Sequence, residues 1–200
     1  MTHSITHSPY FKSYPINTSV EKDYSVYESA LTRIDDKLNS MLHKHSKIMI
    51  IRFDIRYPND RSIPYSKEHI YNFTYNLKRS LNRENHPSGH FVDAQLIYVE
   101  EQDSSEYPHY HFAVIVNANA KKSPYSIHMK ADKLWKIALN TSKDGLVHFC
   151  NDHPNGLIIE RNSPYFHEQF SNVFYQLSYL AKTRSKENRP KGSWLIKTSR

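Results

Sequence analysis

His109 and His111 lie two residues apart in the segment YPHYHFAVIVN, residues 107–117. In a strand, residues two apart project to the same face, so the two imidazoles stand side by side while Tyr110 points away. The apolar run after them carries side chains of both parities, as an inner strand covered on both faces does. Imidazoles on such a strand are costly to bury unless something uses them. A divalent metal is an economical user, because neutral imidazole is a common ligand. Glu100 and Glu101 end the preceding segment, residues 91–101, and the short connection 102–108 predicts an antiparallel hairpin. Folding back brings that acidic end beside the histidines. A carboxylate joining two imidazoles makes a divalent site with room for substrate oxygens. Adjacent glutamates point to opposite faces, so one of the two is the ligand, and the residues alone leave open which.

A second group of reactive side chains lies in residues 165–182, YFHEQFSNVFYQLSYLAK. Phe166, Phe170, Val173, Leu177 and Leu180 follow helical spacing and predict a core stripe. Glu168, Asn172, Tyr175, Tyr179 and Lys182 form another stripe, roughly opposite at about 100° per residue. Tyr175 and Tyr179 therefore sit one turn apart on the face the core does not require, with Lys182 one turn further on. A phenol has a pKa near 10 and is a weak nucleophile unless helped; a neighbouring ammonium favours the phenolate. A metal held by two histidines and a carboxylate polarises a phosphodiester and aligns it for in-line attack. Together these parts predict DNA nicking. A tyrosine attacks phosphorus, keeps the 5′ phosphate as a phosphotyrosine, and frees a 3′ hydroxyl, so that the strand can later be rejoined.

These groups need a scaffold. Residues 1–19 mix Ser, Thr, His and Pro without periodicity and read as a flexible leader in which His3 and His7 are not ligands. Residues 20–46 read as an N-terminal helix with Tyr27, Leu31, Ile34, Leu38, Met41 and Leu42 at helical spacing. Residues 47–57, KIMIIRFDIRY, read as a strand. One of its faces is wholly apolar; the other turns from Ile48 and Ile50 to Arg52, Asp54 and Arg56, as where a sheet opens onto a site. A helix follows over 66–83, with Ser66 as N-cap, Glu68 in the first turn, and Lys78 and Arg79 near its end, where they suit the dipole and can touch phosphates. A further helix is expected over 127–139, and short strands over 146–150 and 157–161. His148, Cys150 and His153 lack the paired-ligand spacing of structural zinc modules.

The chain has 200 residues, a formal net charge of +7, 15 tyrosines and a single cysteine, Cys150. That length fits one domain. The charge suggests a polyanionic partner, nucleic acid above all, and exposed tyrosines can stack on bases. One cysteine excludes an internal disulfide and fits a reducing cytoplasm. No apolar run is long enough to cross a membrane, and no signal-peptide pattern is present.

The motifs carry a resemblance. His109-Tyr110-His111 resembles the His-hydrophobe-His motif of the HUH endonucleases, and Tyr179-Leu180-Ala181-Lys182 resembles their Tyr-x-x-Lys motif. Tyr175 with Tyr179 is similar to the two-tyrosine arrangement of rolling-circle initiators of single-stranded DNA phages. From about Lys47 onward the chain resembles the prophage-encoded YagK/YfjJ family, also described as inovirus-type replication proteins. The matching pieces are IRFDIRYP (51–58), VEEQD (99–103), PHYHFAVIVN (108–117) and YLAK with a basic tail ending TSR. The resemblance implies an α+β fold, a central antiparallel sheet of about five strands with flanking helices, with residues 47–200 as the catalytic domain. It implies metal roles for His109 and His111, with Glu101 as acidic ligand and Glu100 as alternate. Tyr179 becomes the nucleophile, Tyr175 a second or auxiliary one, and Lys182 the residue that positions the phosphate. Asp54 becomes an auxiliary. DNA contacts are expected from Arg52, Arg56, Lys78, Arg79, Arg184 and Lys186. The expected cofactor is magnesium or manganese. The expected partners are single-stranded DNA at a replication origin and a host helicase and polymerase, in the cytoplasm of a bacterial host. Two other readings share these parts: a single-strand transposase, and a DNA-binding regulator on an inactive fold, which would bind without metal and tolerate loss of Tyr179.

Overall fold

The computed structural model describes residues 4–19, 24–84, 89–102, 107–150, 156–183 and 196–198. In chain order the elements are β1 (Ile5–Thr6), β2 (Tyr10–Phe11), β3 (Tyr14–Pro15), β4 (Val26–Tyr27), α1 (Glu28–Lys44), β5 (Lys47–Ile55) and α2 (Lys67–Asn82). There follow β6 (Gln95–Glu101), β7 (His109–Asn117), α3 (Tyr125–Leu139), β8 (Val147–Phe149), β9 (Leu157–Glu160), α4 (Phe166–Ser178), a 3-10 turn (Tyr179–Ala181) and β10 (Lys197–Thr198). The expected sheet of about five strands has six among the described residues, in the order β10-β6-β7-β5-β8 with β9 also on β5. All its pairings are antiparallel. β8 lies along Phe53–Ile55 and β9 along Lys47–Ile50, so the two short strands follow one another down the same edge of β5. Gly156 opens β9 at φ +75°, and a Cβ there would stand 2.9 Å from Met49 Cγ, which favours glycine at this approach.

Strand alternation divides the core into two layers. Met49, Ile51, Phe53 and Ile55 of β5 and Tyr110, Phe112, Val114 and Val116 of β7 face α2 and α3, where Phe73, Leu77 and Trp135 close over them. Ile48, Ile50, Ala113 and Ile115 face the other way, under Leu31, Ile34 and Leu38 of α1 and Phe170, Phe174 and Leu177 of α4. Each fully buried aliphatic or aromatic side chain contributes about 1.5–3 kcal/mol of transfer free energy. The apolar stripes of the helices are thus what fixes them to either face of the sheet. α2 starts as its sequence implies: the Ser66 hydroxyl accepts from the Glu68 amide at 3.2 Å.

The N-terminal segment departs from the expected flexible leader. β2 pairs with β3, β1 pairs with β4, and Ile16 is buried. Phe11 stacks on Phe174 at 5.9 Å between centroids and Tyr14 meets Phe170 at 4.5 Å. The segment shows no periodicity of its own because its apolar residues are matched to α4 rather than to a local pattern. The N-terminal helix, expected from residue 20, begins at Glu28, because Val26 and Tyr27 are taken into the pairing with β1; residues 20–23 lie outside the described residues. No helix among the described residues is long and apolar enough to cross a membrane.

Candidate metal centre and nucleophile

The β6–β7 register resolves the choice between the glutamates. Glu101 lies directly opposite His109, and Val99 opposite His111. Glu101 therefore shares the histidine face. Its Oε2 is 3.1 Å from His111 Nε2 and 3.6 Å from His109 Nε2. Glu100 turns to the other face, where its carboxylate accepts from Lys197 Nζ at 3.2 Å and Tyr65 Oη at 3.5 Å. The ligand atoms of Glu101, His109 and His111 all lie within 4.8 Å of one another. Adjacent ligands on an octahedral ion with bonds of about 2.1 Å stand about 3 Å apart, so this triad fits a divalent metal with little movement. Glu101 and His111 are buried and His109 is half-buried, which leaves the open side toward solvent.

Asp54 is directly opposite His111 on β5. His111 Nδ1–H donates to Asp54 Oδ1 at 2.6 Å. That bond fixes the tautomer and leaves Nε2 facing Glu101, the carboxylate–histidine arrangement that orients metal ligands. Burial opposes charge on His111, but the Asp54 and Glu101 carboxylates outweigh it and push its pKa up to about 9. A metal entering the triad must displace that proton.

α4 brings the tyrosine. The helix expected to run to Lys182 ends at Ser178, and Tyr179–Ala181 form a 3-10 turn. The turn packs on α1 and β4, burying Leu180 and Ala181, while Lys182 leaves helical geometry and bridges Val26. Tyr179 is thereby set edge-on to His111, at 5.5 Å between centroids and 85° between planes. Arg52 lies 5.2 Å from the Tyr179 ring centre and Lys182 4.0 Å from it. The Lys182 ammonium is also 4.3 Å from the ring centre of Tyr24, which clamps it between two aromatic faces. Burial, then the charges of Glu101 and Asp54, hold the Tyr179 hydroxyl above the usual phenol range, and Arg52 pulls it down. Arg52 also donates from Nη1 to the Gln176 carbonyl at 3.3 Å, and its buried Nε has no hydrogen-bond partner among the described residues. Tyr175, one turn earlier, is 40 % exposed.

Beside the triad lies a cleft of about 640 Å³, lined among others by Asp54, Arg56, Tyr57, Asn59, Tyr107 and His148. His148 sits across from Asp54 on β8. Arg56 reaches the Gly145 carbonyl from Nε and Nη2 at 3.3 and 3.2 Å. The structure thus gathers Glu101, His109, His111, Asp54, Arg52, Tyr179 and Lys182 in one place, with Arg56 on the cleft. It does not gather Glu100, or Lys78 and Arg79, which belong to α2 on the opposite face of the sheet. Arg184, Lys186, His153 and the Ser199–Arg200 end of the TSR motif fall outside the described residues. Sequence reasoning missed Tyr24, Asn59, Tyr107 and the placement of His148; each depends on which strands become neighbours, and no local pattern signals that.

The profile of the YagK/YfjJ C-terminal domain matches residues 6–193, and the chain belongs to that family. No curated protein matches the sequence.

Proposed function

We propose that this member of the family is a metal-dependent enzyme that nicks single-stranded DNA at a defined site and rejoins it, starting rolling-circle replication of a phage or prophage element. The observation that carries the proposal is Tyr179 held edge-on to His111, beside a two-histidine, one-carboxylate triad and within reach of two cations. A structural tyrosine needs no such neighbours.

Magnesium or manganese in the triad would supply Lewis-acid polarisation of a phosphoryl oxygen and offset the carboxylate charge around Tyr179. The chain's own residues do the rest. Tyr179 Oη forms a bond to phosphorus as the bond from phosphorus to the 3′ oxygen breaks. The proton lost by the phenol balances the proton gained by the leaving 3′ hydroxyl. Arg52, with its unpartnered Nε, and Lys182 place positive charge against the phosphate. Asp54 keeps His111 in the ligating tautomer. The reverse step, attack of a 3′ hydroxyl on the phosphotyrosine, rejoins the strand. Arg56 and the cleft accept the nucleotides beside the scissile phosphate.

The test is adduct formation. The protein is mixed with single-stranded oligonucleotides from its genomic neighbourhood and manganese or magnesium, and an SDS-resistant protein–DNA band is sought. The expected band is lost with EDTA and with Tyr179→Phe, and kept with Tyr175→Phe. An adduct that survives Tyr179→Phe would overturn the assignment of the nucleophile. No adduct on any oligonucleotide, together with tight metal-independent binding of duplex DNA, would replace the enzyme with a regulator.

A further inference from the structure

The outer face of α2 carries a row the core does not explain. Lys67, Tyr71, Tyr75, Arg79 and Arg83 recur every fourth residue, and all five are exposed. The core stripe of the same helix is Ile70, Phe73, Leu77 and Leu81. Tyr71 and Tyr75 are 68 % and 53 % exposed. Their rings lie parallel, 6.5 Å between centroids and 11° between planes. Arg79 continues the column, its guanidinium 5.8 Å from the Tyr75 ring centre. A four-residue step along a helix rises about 6 Å and turns about 40° beyond a full circle, so the row winds gently around the outer side of the helix, with Tyr71, Tyr75 and Arg79 as its flat groups. Glu68 is the one acid in the helix. The row also has an approach. Tyr65, just before α2, stacks on Tyr107 at 6.5 Å and meets Tyr57 at 5.8 Å. Both of those residues line the cleft beside the metal triad.

We propose that this ridge is a stacking track for single-stranded DNA, which leaves the cleft at Tyr107 and Tyr65 and runs outward over Tyr71 and Tyr75, with Lys67, Arg79 and Arg83 against its phosphates. The choice of occupant rests on the nickase reading above and on the charge of the row. Flat aromatic faces flanked by cations suit bases and phosphates in alternation and read no particular sequence. The track therefore holds DNA beside the origin, where sequence need not be defined, and leaves recognition of the nick site to the cleft.

Binding of a fluorescent oligodeoxythymidine of about 16 nucleotides, a length on the scale of single-strand binding sites, is measured by anisotropy in EDTA, where no cleavage occurs. The double variant Tyr71→Ala/Tyr75→Ala is expected to bind between about fivefold and about a hundredfold more weakly per ring lost. Tyr71→Phe/Tyr75→Phe, which keeps the rings, is expected to bind like the parent. Arg79→Ala/Arg83→Ala is expected to flatten the slope of log affinity against log salt by about 1.4. Parent-like binding by the alanine pair, or no binding by the parent, overturns the track. So does loss with both the alanine and phenylalanine pairs, which would mean the hydroxyls are what matter. A change in oligomeric state with the alanine pair at unchanged DNA affinity would make the ridge a protein contact instead. The adduct assay keeps the two proposals apart. An adduct with ring-independent binding removes the track and leaves the nickase; ring-dependent binding with no adduct does the reverse.

Discussion

On one face of the β5–β7 pair, Phe53 lies against Phe112; one residue along, on the other face, Asp54 lies against His111. The first contact is a parallel ring stack at 5.2 Å, continued by Tyr98 on Phe112 at 4.9 Å and closed by the edges of Phe73 and Trp135. The second is a charge-assisted hydrogen bond that ends at a half-open triad. The backbone is the same for both. The rigidity of the aromatic layer is available to the polar layer because neighbouring side chains leave the same strand in opposite directions. A site built on paired inner strands inherits positional precision that a loop would not give. The separation also means that damage to one layer should be distinguishable from damage to the other.

The largest effect is expected from His111→Ala, which removes one of the triad's three donor groups and the partner of two carboxylates. Manganese binding by calorimetry and adduct formation should fall below detection, while the near-UV signal of the aromatic layer persists. If that signal is lost as well, the two faces are not independent. Phe112→Ala should destabilise the fold by about 3–5 kcal/mol, read by urea unfolding, and leave adduct yield per folded molecule unchanged. Asp54→Asn should weaken metal binding by about 10–100-fold, since it disturbs the orientation of His111 rather than the ligand count, and should lower the unfolding midpoint in EDTA, since the Asp54 charge is part of what raises the His111 pKa. The smallest effect concerns pH. The His111 pKa is raised from 6.5 to about 9 in the metal-free protein, so its stabilising contribution is fully present below about 6.5 and lost as pH rises through about 9. The melting temperature in EDTA should fall across that window, and His111→Asn should abolish that part of the fall.

The sequence made the aromatic and apolar layers legible, because alternation in β5 and β7 and helical spacing in α1, α2 and α4 are local patterns. The Ser66 cap was legible for the same reason. The histidine pair was legible through parity. Which glutamate joins the histidines was not, since Glu100 and Glu101 differ only in which face the hairpin register assigns them. Asp54 stood out as a polar residue on a buried-type strand, but its role depends on β5 lying beside β7, two strands that are far apart in the chain. The end of α4 was misjudged for a related reason. Residues 179–182 continue the helical pattern, yet bridging of Lys182 to Val26 draws the chain out of the helix. The N-terminal segment was unreadable because its aromatic residues answer to Phe170 and Phe174 rather than to each other.

The N-terminal segment also fastens the end of α4. The Asn17 amide donates to the Ser178 hydroxyl at 2.8 Å, the Thr183 amide donates to the Ser25 carbonyl at 3.0 Å, and the Ser25 and Thr183 hydroxyls meet at 2.8 Å across 158 residues of sequence. A contact with that separation is among the slowest to close, because loop-closure entropy must be met before it contributes. On a ribosome, the early segment waits for the turn that carries Tyr179 until β5 to β9 have all been made. Under the proposed function, that order postpones any nicking until the residues of the triad have been made, and Tyr179 and Lys182 are the last of the site's groups to join them. Pulse-labelled hydrogen exchange during refolding should show the Thr183 amide protected after those of β5 and β7; protection in the opposite order would remove that timing.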